Sequence, residues 1–244
     1  MIEKRIDFVR KIVVVLVLGL VLSLSSLSIK TVNAHAGQVT LKPSDDTFVD
    51  FTNPGMTFGD LTYLTVVNYQ SASVTVIEIV WLKFNLSSVP EGAVVDVATL
   101  QLYASYVQVT ANVDAYYSPD NSWNEQGLAY SGMPGYNATS MDSVLVTVNN
   151  QWYNWSVLDA VKSAEVNDNL TAVTIVLAEP NLHSFGDAVE FDSKESPVYP
   201  DLNIDYRPEL TIHWSSVVPE FPTFLVLPFF TVATLIAVAF YKKT

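Results

Sequence analysis

The chain has 244 residues, with 25 acidic against 12 basic side chains, a net charge of −13 and no cysteine. The lack of cysteine excludes disulfides and thiol catalysis, so stability has to come from a buried core, aided at most by metal. The acidic balance excludes nucleic acid as a partner, because binding there depends on neutralising phosphates. From the start of the chain, Lys4, Arg5, Arg10 and Lys11 lead into the apolar run IVVVLVLGLVLSLSSLSI, and Ala34-His35-Ala36 follows it. A positive region, an apolar region and a small-residue site make a secretory signal, so residues 1–36 are expected to be a signal peptide cleaved after Ala36. Left uncleaved, the same segment would be a signal anchor, and the middle of the chain would still lie outside the cell.

The middle, residues 37–218, carries 22 acidic and five basic residues, which leaves it about 17 charges negative. Such a surface repels anionic polysaccharide unless divalent cations bridge the two, so neutral or cation-bridged glycans suit it better. Strand-like segments recur along it: QVTLKP from Gln38, YLTVVNY from Tyr63, SVTVIEIVWLKFNL from Ser73, ATLQLYASY from Ala98 and VQVTANVDAYY from Val107. They continue with SVLVTV from Ser143, AVTIVLAE from Ala172, AVEFDS from Ala188, LNIDY from Leu202 and ELTIHW from Glu209. Most alternate with period two, are rich in Val, Ile, Thr and Tyr, and are parted by turn residues. One segment differs. In NWSVLDAVKSAEVNDN, Val157, Leu158, Val161 and Ala164 recur at helical spacing, with Ser156 or Asn154 as the candidate cap. About ten strands, one short helix and no βαβ alternation predict an all-β fold, an antiparallel two-sheet β-sandwich of jelly-roll or Ig-like kind.

The last apolar run, FPTFLVLPFFTVATLIAVAFY from Phe221, ends on Lys242 and Lys243. About 20 apolar residues span a bilayer core, and the terminal lysines favour the cytoplasmic side. Residues 219–244 are thus expected to form a C-terminal transmembrane anchor for a single-pass protein with its domain outside the cell. Asn85, Asn137, Asn154 and Asn169 open N-x-[ST] sequons and are glycosylation candidates.

Four ordered motifs carry a resemblance: PSDDTFVDFTNPGMTFGDLTYLTV, WLKFNLSSVPEGAVVDVATLQLYA, WNEQGLAYSGMP and, after the helix, FDSKESPVYPDLNIDY. Together the series resembles the DNRLRE domain, also classed as carbohydrate-binding module family 96, described from disaggregatase-related archaeal surface proteins. The resemblance spans about Val39 to Trp214, and it implies a β-sandwich that binds extracellular polysaccharide. Two positions depart from the family pattern: Tyr130 stands where a Trp is usual, and Lys194, in Ser193-Lys194-Glu195, where an Arg is usual. The second change gives up a bidentate guanidinium. Separately, Pro219-Glu220-Phe221 before an apolar run and a basic tail resembles archaeal C-terminal sorting signals, which implies a surface protein.

Trp123, Tyr130, Trp152 and Tyr153 are the candidate sugar-stacking residues, since ring C–H groups of a sugar meet an aromatic face. Trp155 is a further candidate, and Trp152 and Tyr153, in the polar setting NNQWYNWS, suit exposed platforms. The turn-rich motif Trp123, Glu125, Tyr130 and Pro134 reads first as a structural clasp. There Trp123 would be a plug, and Glu125 would pin the loop by accepting backbone N–H bonds. A glycosidase role for Glu125 would need a second carboxyl at a defined separation; Asp114 and Asp120 offer no telling spacing, so no catalysis is expected. Asp45, Asp46, Asp192 and Glu195 are candidate ligands for a structural calcium ion joining the first and last strands, with Glu190 beside them. The expectation is a membrane-anchored glycan-binding surface protein; the alternative is a structural or adhesive protein working through calcium-dependent protein contacts.

Overall fold

A computed structural model describes residues 31–168, 171–183, 188–202 and 204–219. Contacts divide the chain into two units, residues 35–216 and, separately, residues 1–34 with 217–244. Residues 1–30 of the expected signal segment, residues 220–244 of the expected anchor and Asn169 lie outside the described residues. Among the described residues no helix is long and apolar enough to cross a membrane.

Eleven strands are described: β1 (Thr31–Leu41), β2 (Asp45–Asp50), β3 (Tyr63–Gln70), β4 (Thr75–Asn85), β5 (Val94–Val107), β6 (Ala111–Ser118), β7 (Asp142–Val146), β8 (Gln151–Ser156), β9 (Ala172–Ala178), β10 (Val189–Asp192) and β11 (Glu209–Pro219). One helix, α1 (Leu158–Asp168), joins β8 to β9. The ladders form one curled sheet in the order β1-β11-β5-β10-β3-β4-β9-β6-β7, with β2 on β4 and β8 on β5 as branches. The registered ladders β10–β3, β10–β5, β11–β5, β2–β4, β3–β4, β4–β9, β5–β8, β6–β7 and β6–β9 are all antiparallel.

β3 is the hinge between two groups of strands. Its first half pairs with β10, Leu64 opposite Phe191, and its second half with β4, Val67 opposite Glu78. The two groups close on one core. Phe84, Leu82 and Val80 of β4 and Ile175 and Leu177 of β9 share it with Leu100 and Leu102 of β5, Phe191 of β10 and Trp155 of β8. Burying each large aliphatic side chain stabilises the fold by about 1.5–3 kcal/mol. Trp155 ties the layers directly: its ring meets Phe191 edge-on at 5.7 Å, and its Nε1–H donates to the Val113 carbonyl of β6 at 2.8 Å. A buried indole N–H needs such a partner.

Val157, just before α1, and Ala160, Val161 and Ala164 within it are fully buried. Their spacing is the i, i+3, i+4, i+7 stripe of an amphipathic helix. The helix packs that stripe on β5, β9 and β6. Its start differs from expectation, because Ser156 and Asn154 both belong to β8. There the Ser156 N–H donates to Asp142 at 2.7 Å, and Asn154 accepts from Gln101 at 2.9 Å.

Two strands lay hidden in the sequence, β2 in DDTFVD and β8 in QWYNWS. Asn150, at φ 59°, makes the turn into β8, a left-handed position that Asn tolerates. Its N–H then meets the Ala104 carbonyl at 2.7 Å, setting β8 beside β5. The expected strand at Leu202 is instead a short 3-10 turn over Pro200–Leu202, followed by a single bridge from Tyr199 to Ile204. Proline at 200 supplies no donor to a ladder.

Candidate functional site

The motif residues Trp123, Glu125, Tyr130 and Pro134 lie in the long connection between β6 and β7. This connection covers one face of the β4–β9 ladder. A small second core forms beneath it from Val49, Ile79, Trp81, Trp123, Leu128, Val176 and Ala178, with Tyr116, Tyr130, Met133 and Tyr136 packed around it. Trp123 is 7% exposed, meets Trp81 edge-on at 6.0 Å and donates from Nε1 to Thr174 Oγ1 at 3.0 Å. Lys83 lies over its ring, 4.9 Å from the centroid, and donates to its carbonyl. Tyr130 is half-buried and rests edge-on against Phe51 at 5.4 Å, while Pro134 sits half-buried in the same loop.

Glu125 closes the loop onto both ends of the domain. Its Oε2 accepts the Asp46 N–H at 3.1 Å, its Oε1 accepts from Gln126 at 2.9 Å and pairs with Lys194 Nζ at 2.9 Å. The same lysine pairs with Glu195, and its backbone N–H donates to Asp46 Oδ2 at 2.8 Å. Ser193 and Ser196 fasten this turn to the carbonyls of Leu61 and Thr62 at 2.7 and 2.6 Å. Gly59 completes the fit, because a Cβ there would stand 2.6 Å from the Cβ and carbonyl of Glu125. Asp46 is 1% exposed, and its Oδ1 has no hydrogen-bond partner among the described residues. Burial, with the Glu195 carboxylate adding to it and the Lys194 N–H opposing, pushes its carboxyl up to about 8. Burial disfavours the Lys194 ammonium, but its bonds to Glu195 and Glu125 outweigh that and hold it firmly charged.

Carboxylate oxygens of Asp46, Glu125 and Glu195 lie within 4.8 Å of one another. These are donors of the kind a hard cation takes, although calcium wants six to eight oxygens and the Lys194 ammonium already pairs with two of the three groups. Asp45 and Asp192 do not join them. Neighbours in a strand point to opposite faces, so Asp46 faces inward while Asp45 pairs with Lys83 at 3.0 Å. Asp192 sits on β10 opposite Tyr63, bonded towards Ser105, and burial raises its carboxyl above the usual range.

On the face of the β5–β8 ladder away from the core, the outward residues Gln101, Tyr103, Trp152 and Asn154 are half-buried or exposed. Tyr103 of β5, Trp152 of β8 and Tyr206, before β11, gather on it. Tyr103 and Tyr206 stack at 4.0 Å with 17° between planes, and Trp152 stands edge-on to Tyr103 at 5.6 Å. Trp152 is 36% exposed. Gln101 and Asn154, joined by a 2.9 Å hydrogen bond, lie on the same face. Tyr206 is held by its neighbours: Arg207 grips Asp205 through Nε and Nη2 at 2.9 and 2.8 Å, and Lys42 pairs with Asp205 and Glu209 at 3.1 and 2.9 Å. These cations, led by the Arg207 guanidinium, hold the Asp205 carboxyl well below its ordinary range.

Tyr153 does not share this face, which corrects the expected Trp152–Tyr153 platform. It points inward at 8% exposure, and its hydroxyl accepts the N–H groups of Thr147 and Val148 at 3.0 and 2.8 Å. Trp155, two residues on, is fully buried. Trp123 is likewise closed to a ligand.

The profile of carbohydrate-binding module family 96 matches residues 37–206. The chain belongs to that family. No curated protein matches it. In this family 96 module the clasp, the carboxylate–lysine cluster and the open aromatic face all fall within the matched residues, Tyr206 being the last of them. Of the sugar-stacking candidates, Trp152 alone stands on the open face. Tyr103 and Tyr206 were not anticipated: Tyr103 sits in an alternating strand, where an outward tyrosine looks ordinary, and only the fold brings Tyr206 onto it. Asn85, Asn137 and Asn154 are exposed, and Asn154 lies on the aromatic face itself.

Proposed function

We propose that this family 96 module is a non-catalytic glycan binder on the outside of the cell, holding polysaccharide of the envelope or matrix on the face built by Tyr103, Trp152 and Tyr206. The observation that carries this is the aromatic trio, Trp152 exposed and Tyr103 and Tyr206 half-buried, on the outward sheet face of a carbohydrate-binding family member. Stacked and edge-on rings offer flat apolar surface to sugar C–H groups. Gln101 and Asn154 offer amide donors and acceptors beside them. The acidic charge of the domain favours neutral or cation-bridged glycans. Residues 1–36 then serve as the export signal and residues 219–244 as the membrane anchor of a single-pass protein, with the Pro219-Glu220-Phe221 motif pointing to an archaeal surface. The absence of catalysis accords with Glu125, which is committed to Asp46 and Lys194 rather than to a cleft.

The second reading, adhesion through calcium-dependent contacts between proteins, draws on the Asp46, Glu125 and Glu195 donor set. One experiment separates the two. The full chain in detergent is screened against immobilised glycans with and without EDTA, beside Trp152→Ala. Glycan binding that survives EDTA and falls at least about tenfold in the variant, the worth of a buried aromatic contact, supports the first reading. Binding to no glycan, with calcium-dependent self-association, would overturn it and favour adhesion.

A further inference from the structure

A groove of about 400 Å³ opens where β3 leaves the β4 ladder for that of β10. Its floor is one face of β3, Thr65 and Val67, and Tyr63 and Tyr69 of the same face bracket it. Six residues of extended strand put the two tyrosines about 20 Å apart along β3. Two carboxylates flank the floor from opposite sides: Glu190 of β10 lies directly across from Thr65, and Glu78 of β4 directly across from Val67. Gln108 adds an amide. Asp192, two residues from Glu190, lies on the same face of β10.

Both glutamates are half-buried, and among the described residues neither has an ion-pair partner. Asp50 brings a third negative charge to Glu78, and burial, as the larger influence, already raises the carboxyls of both glutamates. Ionised carboxylates only accept hydrogen bonds. The donors among its lining residues are neutral, the Thr65 hydroxyl bonded to Glu78 and the Gln108 amide among them, so positive charge has to come from a ligand.

We propose that this groove is a second sugar subsite that takes an amino sugar with a free ammonium group, held between Glu78 and Glu190 with its ring against Tyr63 or Tyr69. The proposal rests on the glycan-binding reading of the neighbouring face. An ammonium donates up to three hydrogen bonds, and charge-assisted bonds are about twice as strong as neutral ones. A uronate would meet like charge on both sides and be excluded.

Calorimetric titration of the full chain in detergent tests this with three probes: a glucosamine oligosaccharide, its N-acetylated counterpart and a polyuronate oligosaccharide. The wild type should bind the free-amine oligosaccharide at least about tenfold more tightly than the acetylated one, the scale of one hydrogen bond to a charged group. The polyuronate should bind least. Glu78→Gln with Glu190→Gln, isosteric and checked for folding by thermal melting, should bring the two amino-sugar probes to within about twofold of each other. Asp60→Asn with Asp96→Asn, which removes the same charge at exposed positions, should keep the preference and so exclude general attraction to an acidic protein. Loss of preference in that control, its survival in the Gln pair or its absence in the wild type overturns the groove. Acetylated probe bound through Trp152 with no amine preference leaves the aromatic face standing; no sugar bound by any form sinks both.

Discussion

Two sheet faces of this molecule are rich in aromatic residues, and they have opposite fates. Over the β4–β9 ladder, the connection between β6 and β7 lays Trp123, Leu128 and Tyr136 onto Trp81 and Val176, and the aromatics become a second core. Over the β5–β8 ladder only the short segment carrying Tyr206 is described, and Tyr103, Trp152 and Tyr206 pack on one another. The difference lies in the covering loop rather than in the residues beneath it. That loop stays down because Glu125 is fixed at once to Asp46 and Lys194. Tryptophan in this family member therefore marks structure on one face and, on the other, the proposed platform for a ligand.

The comparison breaks most severely at the buried tryptophan. Trp123→Ala removes a ring packed on Trp81 and a donor to Thr174, and should cost about 3–5 kcal/mol of stability in denaturant unfolding. Trp152→Ala, on the open face, should cost less than about 1 kcal/mol while abolishing most glycan binding. Similar losses of stability from both would erase the distinction. Next comes Gly59→Ala, which forces a methyl against the Glu125 backbone and should cost about 1–3 kcal/mol through over-packing, with no direct effect on the open face.

A smaller effect comes with pH. Asp46 keeps its proton in the folded state up to about pH 8, whereas its ordinary value is 3.8. Its favourable contribution is thus complete below about pH 4 and is lost as pH climbs towards 8. Asp205, held low by Arg207 and Lys42, works the other way, adding stability above its ordinary range and losing it in strong acid. Melting temperatures should therefore decline between pH 5 and 8, the interval set by Asp46. Asp46→Asn, which keeps the oxygen that Lys194 needs and adds a donor, should flatten that decline and raise the melting point at pH 8. An unchanged slope would remove Asp46 from the account. The smallest expected change is at Tyr206. Its replacement by Ala should weaken binding several-fold through loss of one stacked ring, worth about 0.5–1.5 kcal/mol.

The sequence carried the fold further than the site. Long alternating strands such as VIEIVWLKFN and VDVATLQLYASYV announce themselves by period and β-branched content, and the helix by its small apolar stripe. The strands DDTFVD and QWYNWS do not, because acids and amides mask their alternation. Missing them had a direct consequence for the site. Asp45 with Asp46, and Trp152 with Tyr153, looked like pairs acting together, yet a strand sends neighbours to opposite faces. Tyr103 and Tyr206 stack at 4.0 Å only because the antiparallel β11–β5 ladder aligns distant segments, which no local pattern encodes. Glu125 was legible as a pin, but its lysine partner was not, since Lys194, just after β10, reaches it only once β10 has paired with β3.

The central claim is that the open face, and not the covered one, meets sugar. Hydroxyl-radical footprinting of the full chain, with and without a bound oligosaccharide, tests it most directly by reading each aromatic residue separately. The account predicts protection of Tyr103, Trp152 and Tyr206 on binding, with Trp81 and Trp123 protected equally in both states and Tyr130 unchanged. Protection centred on Phe51 and Tyr130 at the clasp, with Trp152 still reactive, would contradict it.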